Sequence, residues 1–315
     1  MTTILSQILA IFLILALGYG ACRAGWLPLS AGPYLNKLLI NIAQPCLTFY
    51  LLEHQTLDAA LLRNGGLSIL LCLAVLALSF IAGFLFILLK KVPLQDRGIY
   101  LVCFTFTNNG FLGLPVAMSL GSDELLFITI MINVPAVILL FALGPLLVAW
   151  KNGAAKSRGE ILKTVFNLPV LASFLGLAFL LLGWQLPSLL DSAVEMLGNM
   201  LVPLSMIVIG MQLTGSRARD VLTDKSHYIF SLLRLALMPA AVFLALHLIG
   251  APPYAVAAFV LFAAMPAATM VVVFSADAGA NTRLAAETVF VSHLFAVGTL
   301  PVVSALLMYY LRFAA

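Results

Sequence analysis

Residues 108–115 read Asn108-Asn109-Gly110-Phe111-Leu112-Gly113-Leu114-Pro115, and they lie inside an apolar run that otherwise extends from Gly98 to Leu120. Two amides, two glycines and a proline so close together would end a helix in water. In a lipid bilayer, non-helical backbone persists only where protein or a water-filled cavity surrounds it. The run therefore predicts a broken membrane helix whose break lines an internal site.

The composition of the whole chain places it in a membrane. Of 315 residues, 63% are hydrophobic and 9% are charged, and the mean hydropathy is +1.14. A soluble domain carries roughly 25% charged residues, so this chain could not cover its surface in water. Nucleic-acid-binding proteins, cytosolic enzymes and disulfide-linked secreted domains are excluded, and we expect no nucleic-acid partner despite the net charge of +4. The four cysteines lie singly in apolar runs, without metal-ligand spacing.

Ten apolar runs are long enough to cross a bilayer, which needs about 20 residues per helix. They are Thr3–Cys22, Gly32–Leu52, Gly66–Leu89, Gly98–Leu120, Leu125–Trp150, Leu168–Trp184, Leu189–Leu213, Tyr228–Ile249, Tyr254–Ser275 and Leu284–Leu311. With ten spans, thirteen of the 16 Lys and Arg residues fall in connections on one side. Since basic residues are retained in the cytoplasm, we expect both termini outside.

The longest polar stretch, Lys151–Lys163, divides the chain into two sets of five spans. We therefore expect a first repeat over residues 1–150, a cytoplasmic linker over 151–165 and a second repeat over 166–315. An odd number of spans in each half gives the halves opposite orientations, as in inverted-repeat transporters. The predicted fold class is an all-α polytopic membrane protein with a 5+5 inverted repeat.

The ninth span carries the counterpart of the first break, in Ala263-Ala264-Met265-Pro266-Ala267-Ala268-Thr269. Pro266 removes a backbone donor, and the small residues around it allow another backbone to cross closely. We expect helices four and nine to cross at the bilayer midplane, with a binding site beside the crossing. Facing helix N-termini and the amides of Asn108 and Asn109 would attract an anion there.

Further amides occur in the neighbouring spans. Asn41 and Gln44 share a predicted face of the second span, beside Pro45, and Asn133 lies in the fifth span. These side chains either line the substrate path or hydrogen-bond a neighbouring helix, and the sequence favours neither.

Ionisable groups inside predicted spans are costly and usually serve a pathway or a partner. His293 titrates near neutral pH, so it is a candidate for a coupling proton or a hydrogen-bonded packing residue. Asp277 is a second candidate because it lies close to a broken helix. Arg234 either snorkels to the cytoplasm or pairs with Asp277 or Glu287, and we predict a structural pair with Glu287.

Several motifs are absent from the sequence. There is no Walker-type phosphate loop, no H-E-x-x-H and no G-x-S-x-G. No nucleophile–base pair is visible either. We therefore expect a protein that is not an enzyme and needs no cofactor.

The chain resembles the auxin efflux carrier family, which includes plant PIN-type carriers and bacterial malate or malonate permeases. The resemblance is carried by LNKLLINIAQPCLTFYLL (35–52), TFTNNGFLGLPVAMSLG (105–121), LGNMLVPLSMIVIGMQL (197–213), AAMPAATMVVVFSADAG (263–279) and ETVFVSHLFAVGTLPVV (287–303). It covers nearly the whole chain.

The resemblance implies ten helices in an inverted repeat, with spans one, two, six and seven as a scaffold that is often dimeric. The other six spans would form a transport domain that moves in an elevator-like manner. Organic anions would be held at the crossover by Asn108, Gly110 and Pro115 on one side and Pro266 on the other. One departure is His293, which follows Ser292 where a threonine is expected.

The sequence thus predicts a secondary transporter of small organic anions, in a bacterial inner membrane and coupled to protons. Two alternatives stay open, namely a sodium-coupled symporter of related fold and a non-transporting membrane receptor that binds the same anion.

Overall fold

The computed structural model describes residues 2–54, 59–120, 122–149, 167–214 and 225–314. The predicted linker, residues 151–165, lies outside the described residues. The α-helices are α1 Thr2–Arg23, α2 Gly32–Leu38, α3 Gln44–Glu53, α4 Ala59–Leu89, α5 Arg97–Thr105, α6 Leu114–Ser119, α7 Asp123–Ala149, α8 Leu168–Leu182, α9 Ser188–Asn199, α10 Leu201–Leu213, α11 Lys225–Leu232, α12 Met238–Leu248, α13 Pro253–Ala264, α14 Met270–Asp277 and α15 Thr282–Ala314.

Five stretches of helix in the described ranges are long and apolar enough to cross a membrane. They are Gly66–Leu89, Glu124–Ala149, Ser188–Met211, Lys225–Leu248 and Thr282–Ala314. Shorter apolar helices occur at Leu13–Arg23, Leu168–Leu182 and Pro253–Ala264. The protein is therefore an all-helical, multi-pass membrane protein.

Two of the predicted spans are interrupted by extended backbone. The helix α5 ends at Thr105 and α6 begins at Leu114, while α13 ends at Ala264 and α14 begins at Met270. Phe106 and Met265, directly after the first helix of each pair, have extended backbone. The amide, glycine and proline residues thus interrupt the helices where their local chemistry predicts.

In the part of the chain that the structure describes, π turns occur at Leu39–Ala43, Asn109–Gly113 and Leu233–Leu237. In each case, the residue directly after the π turn donates its backbone N–H to the carbonyl five residues back. These residues are Gln44, Leu114 and Met238, and each is followed by a proline. A proline ring clashes with the carbonyl four residues back and has no N–H to donate. The wider π turn accommodates the ring, and the backbone N–H of the residue before the proline keeps a hydrogen bond.

Glycines allow some helices to pack backbone against backbone. A Cβ added at Gly18 would lie 2.4 Å from the carbonyl oxygen of Ile207, and one at Gly210 would lie 2.0 Å from that of Leu15. These contacts join α1 to α10, and α3 packs in turn against α8 and α9. Such close approaches are typical of membrane helices, which associate through small residues.

The remaining helices surround the two breaks. The helix α13 packs against α7, α12 and α15, while α5 packs against α4 and α7. Phe104, Phe86 and Phe230 form an aromatic cluster next to this region, with ring centroids of Phe104 and Phe230 4.7 Å apart. The breaks are thus held inside the protein, as irregular backbone in a membrane requires.

Candidate functional site

The two breaks cross each other directly. Thr107 and Ala267 form an antiparallel backbone bridge. The N–H of Asn108 donates to the carbonyl of Pro266 at 2.8 Å, and the N–H of Ala268 donates to the carbonyl of Phe106 at 3.1 Å. The crossing therefore satisfies backbone groups that neither helix could satisfy alone, and Pro266 has no N–H that would need a partner.

Two helix starts converge on the crossing. Asn108 is the N-cap of the π turn Asn109–Gly113, which continues into α6, and Thr269 is the N-cap of α14. The first backbone N–H groups of a helix have no acceptor within the helix, and the helix dipole is positive at this end. The crossing is therefore favourable for negative charge.

A small cavity lies beside the crossing. Its volume is about 30 Å³. Its polar lining residues are Gln44, Thr107, Asn108, Asn109, Asn133 and Thr269. Apolar side chains such as Val137, Leu140 and Phe141 complete the wall, and no lining residue carries a formal charge. A space of this size holds a water molecule or two but no dicarboxylate, so the site is closed in this conformation.

The side chain of Asn108 is joined to His293 across 185 positions of sequence. Asn108 Nδ2 lies 2.8 Å from His293 Nε2, and His293 Nδ1 lies 2.8 Å from the carbonyl oxygen of Val289. Because a carbonyl only accepts, Nδ1 carries the ring hydrogen and Nε2 accepts from the amide. The imidazole is neutral in this arrangement, and both groups are buried.

The other polar side chains around the cavity are incompletely paired. Asn109 donates to Asn133 Oδ1 at 3.4 Å, and Gln44 donates to Thr48 at 3.1 Å. Among the described residues, the hydroxyls of Thr107 and Thr269 are buried without a hydrogen-bond partner, and so is Asn109 Oδ1. Buried polar atoms without a partner are costly, so these groups favour a ligand or water in the cavity.

Gly113 controls how the Asn109 side chain lies. A Cβ at Gly113 would stand 2.1 Å from Asn109 Oδ1 and 3.3 Å from Met265 Cγ. The glycine therefore lets the amide fold back over the π turn while the second break passes close by.

The structure brings together five of the eight residues that the sequence predicts for substrate binding. Asn108, Asn109, Gly110, Gln44 and Asn133 all line the cavity.

The remaining three predicted residues lie differently. Pro266 contributes its carbonyl to the crossing. Pro115 lies in the first turn of α6. Asn41 is exposed and is not a lining residue, although the sequence places it on one face with Gln44. The π turn at Leu39–Ala43 explains the difference, because it changes the rotation between the two positions.

The charged groups have other partners than the sequence predicts. Arg234 is fully buried and donates from Nη1 to the carbonyl of Ala263 at 2.7 Å, at the C-terminal end of α13. Glu287 instead contacts Arg283 Nε at 2.7 Å and His227 Nε2 at 3.6 Å. The predicted Arg234–Glu287 pair is therefore wrong. Arg234 lies at the negative end of the α13 dipole, and Glu287 forms a separate ion-pair cluster with Arg283 and His227.

Of the two candidates for a coupling proton, only His293 lies at the crossing. Asp277 is exposed at the end of α14. The sequence interpretation did not name Thr107 or Thr269 as site residues, although Thr107 directly precedes the first predicted break and Thr269 is the last residue of the second. A hydroxyl next to such a break is the signal that would have identified them.

Over most of its length, the chain is similar to proteins that are named as transporters. A family model described as "Membrane transport protein" matches residues 3–160 and 155–304. An uncharacterized transporter of Methanothermobacter thermautotrophicus is 28% identical over 301 residues, covering 95% of this chain and 97% of that protein. A protein of Rhizobium meliloti named "Putative malonate transporter" is 24% identical over 314 residues, covering 95% and 94%. An uncharacterized transporter of Methanocaldococcus jannaschii is 24% identical over 295 residues, covering 92% and 94%.

Proposed function

The chain belongs to the membrane transport protein family, a family of transporters and not of enzymes, and from this premise we propose that it is a secondary active transporter of small organic anions. Mono- or dicarboxylates would bind at the cavity beside the crossing and become accessible from each side in turn. Malonate is the first substrate to test, because one relative is named for it. The crossing of the two broken helices is the observation that supports this proposal most strongly.

The chemistry of the cavity suits a carboxylate. The amides of Asn108 and Asn109 and the hydroxyls of Thr107 and Thr269 supply neutral donors, and two helix starts add positive potential. Hydrogen bonds to a charged group contribute about 1.5–3 kcal/mol each. A site without a fixed cation leaves no uncompensated positive charge when the anion departs, which suits a carrier that must return empty or exchange its load.

The proposed architecture is a 5+5 inverted repeat, with residues 1–150 and 166–315 as the repeats and 151–165 as a cytoplasmic linker. Each half has the same order of elements, in which a broken helix precedes the last long helix. The close packing of α1, α3, α8, α9 and α10 supports a scaffold built from the first two spans of each half. We propose that the other helices move against this scaffold in an elevator manner.

The proposed setting is the bacterial inner membrane, with both termini outside. The protein would pair with a second copy through its scaffold helices and would need no cofactor. These features follow from the charge distribution of the sequence and from the resemblance on which the scaffold rests.

We propose that the contact between Asn108 and His293 couples transport to protons. A proton on Nε2 would turn this acceptor into a donor facing the amide NH₂ group. The amide would then rotate and present its oxygen to the ring and its NH₂ group to the cavity. Protonation of His293 would thus add a donor for the anion, and by linkage the anion would favour the proton. Proton and anion would therefore be carried together.

The experiment is uptake of labelled mono- and dicarboxylates by proteoliposomes, with protein-free liposomes as the control. We expect saturable malonate uptake that an imposed inward pH gradient increases. Saturable binding without flux would favour the receptor. Uptake that follows a sodium gradient and ignores the pH gradient would favour the sodium-coupled symporter.

A further inference from the structure

A second polar cluster lies away from the crossing, where α3 ends and α9 begins. Glu53 and His54 terminate α3, and Asp191 lies in the first turn of α9. One potential ligand atom from each of the three side chains lies within 4.8 Å of the other two. A third carboxylate, Glu195, interacts with the nearby Tyr50 side chain. Negative charge is thus concentrated between two packed helices.

The His54 ring is oriented as a metal ligand. Its Nδ1 lies 3.0 Å from the carbonyl oxygen of Tyr50, which can only accept, so Nδ1 carries the hydrogen and Nε2 keeps a free lone pair. Histidines that bind metals usually donate their other ring N–H to a carbonyl or carboxylate in this way. The Nε2 atom lies 3.6 Å from Asp191 Oδ2.

That distance suits two ligands of one ion better than a hydrogen bond. Hydrogen bonds between nitrogen and oxygen usually span about 2.7–3.2 Å. Ligand atoms bound about 2.1 Å from a tetrahedral ion lie about 3.4 Å apart, close to the observed separation.

The carboxylates have oxygens left over for such an ion. Glu53 is only 5% exposed, and its Oε1 accepts from the backbone N–H of Leu186. Among the described residues, Glu53 Oε2 and Asp191 Oδ1 are buried without a hydrogen-bond partner. A buried carboxylate oxygen without a partner carries the full cost of losing its water, and a cation would offset this cost.

We propose that Glu53, His54 and Asp191 bind a divalent transition-metal ion of the zinc type. Two carboxylates and one imidazole would neutralise the ion, and water would complete a tetrahedron. The imidazole favours zinc and its neighbours over calcium or magnesium, which prefer oxygen ligands alone. The ion would fasten the end of α3 to the start of α9. The site is independent of the proposed transport cavity, since the two share no lining residue.

The test uses purified, tag-free protein that has been stripped with EDTA and titrated with Zn²⁺ by calorimetry. We expect one ion per chain and a higher unfolding temperature with zinc. His54→Gln and Asp191→Asn should each weaken zinc binding at least tenfold, since each removes a ligand. His247→Gln, which changes an exposed histidine at the end of α12, is the matched control and should bind zinc as the wild type does.

Three results would overturn the proposal, namely no saturable zinc binding by the wild type, equal binding by both site variants, or calcium binding as tight as zinc binding. Unfolding temperatures in EDTA show whether each variant is folded. The His54 side chain is 45% exposed, so His54→Gln alone carries the test should Asp191→Asn fold poorly. Co²⁺ supplies a second measurement, because a tetrahedral site with one nitrogen ligand gives visible absorption that His54→Gln should abolish.

Discussion

Replacing Asn108 with alanine removes a donor from the cavity and the partner of His293 in one step. We expect malonate binding and uptake to fall sharply while the rest of the crossing stays in place. The backbone bond from Asn108 to the Pro266 carbonyl does not need the side chain, so the two broken helices should still cross.

The size of the effect follows from one hydrogen bond to a charged ligand. Such a bond contributes about 1.5–3 kcal/mol, and about 1.4 kcal/mol corresponds to a tenfold change in affinity. Asn108→Ala should therefore weaken malonate binding about ten- to hundredfold. His293 Nε2 also loses its partner, which should cost about 1–3 kcal/mol of stability unless water takes the place of the amide.

Two measurements on the same preparation separate these effects. Calorimetry gives the dissociation constant of malonate, and thermal unfolding without ligand gives the loss of stability. Asn199→Ala is the matched control, since it removes an exposed amide at the end of α9 and outside the cavity. A folded Asn108→Ala protein that binds and transports malonate like the wild type would refute the proposed site.

Three other substitutions probe separate parts of the structure. As pH falls, the malonate affinity of the wild type should rise relative to that of His293→Gln. The reason is that only a protonated His293 ring turns the Asn108 NH₂ group toward the anion. Gly210→Ala should lower thermal stability by about 1–3 kcal/mol, since its Cβ would meet the Leu15 carbonyl oxygen at 2.0 Å. Glu287→Gln should lower stability by about 0.5–1 kcal/mol, because the half-exposed Arg283 loses its negative partner at 2.7 Å.

Each of these substitutions has a neutral counterpart elsewhere in the chain. His247→Gln changes an exposed ring and should keep the pH dependence. Gly20→Ala adds a Cβ with no atom within 4 Å, and Glu124→Gln removes an exposed carboxylate. A pH response retained by His293→Gln would contradict the coupling mechanism. Equal unfolding temperatures for either stability variant and its counterpart would contradict the packing or ion-pair argument.

The positions of both breaks could be predicted from the sequence because their causes are local. Proline and glycine act on the backbone of their own turn, and asparagine is favoured at the N-cap position that Asn108 occupies. The same reasoning identified Asn108, Asn109 and Gly110, which line the cavity.

Contacts between distant segments could not be predicted in this way. The Asn108–His293 bond joins positions 185 apart, and Arg234 donates to a backbone carbonyl that no side-chain pattern reveals. Opposite charge alone predicts that Arg234 pairs with Glu287, whereas in the structure Arg234 donates to the Ala263 carbonyl at the end of α13. Glu53 was overlooked because an acidic residue at a helix end is ordinary until the facing helix is known.

The π turn at Leu39–Ala43 sets the angular phase of the second span. Each α-helical residue advances about 100°, so Asn36 and Gln44 would lie about 80° apart on an unbroken helix. A turn that absorbs one extra residue reduces this angle to about 20°. Both side chains are buried. Gln44 lines the cavity beside the crossing and Asn36 lines a second small cavity, and Thr269 and Met270 line both cavities.

The direction in which Gln44 faces the cavity therefore depends on the π turn at Leu39–Ala43. If the turn became regular α-helix with no change in residue number, every later side chain would rotate by about 100° and Gln44 would turn away from the crossing. Selection on such a turn therefore acts on backbone geometry as well as residue identity, even where any apolar side chain would satisfy the surrounding lipid or protein.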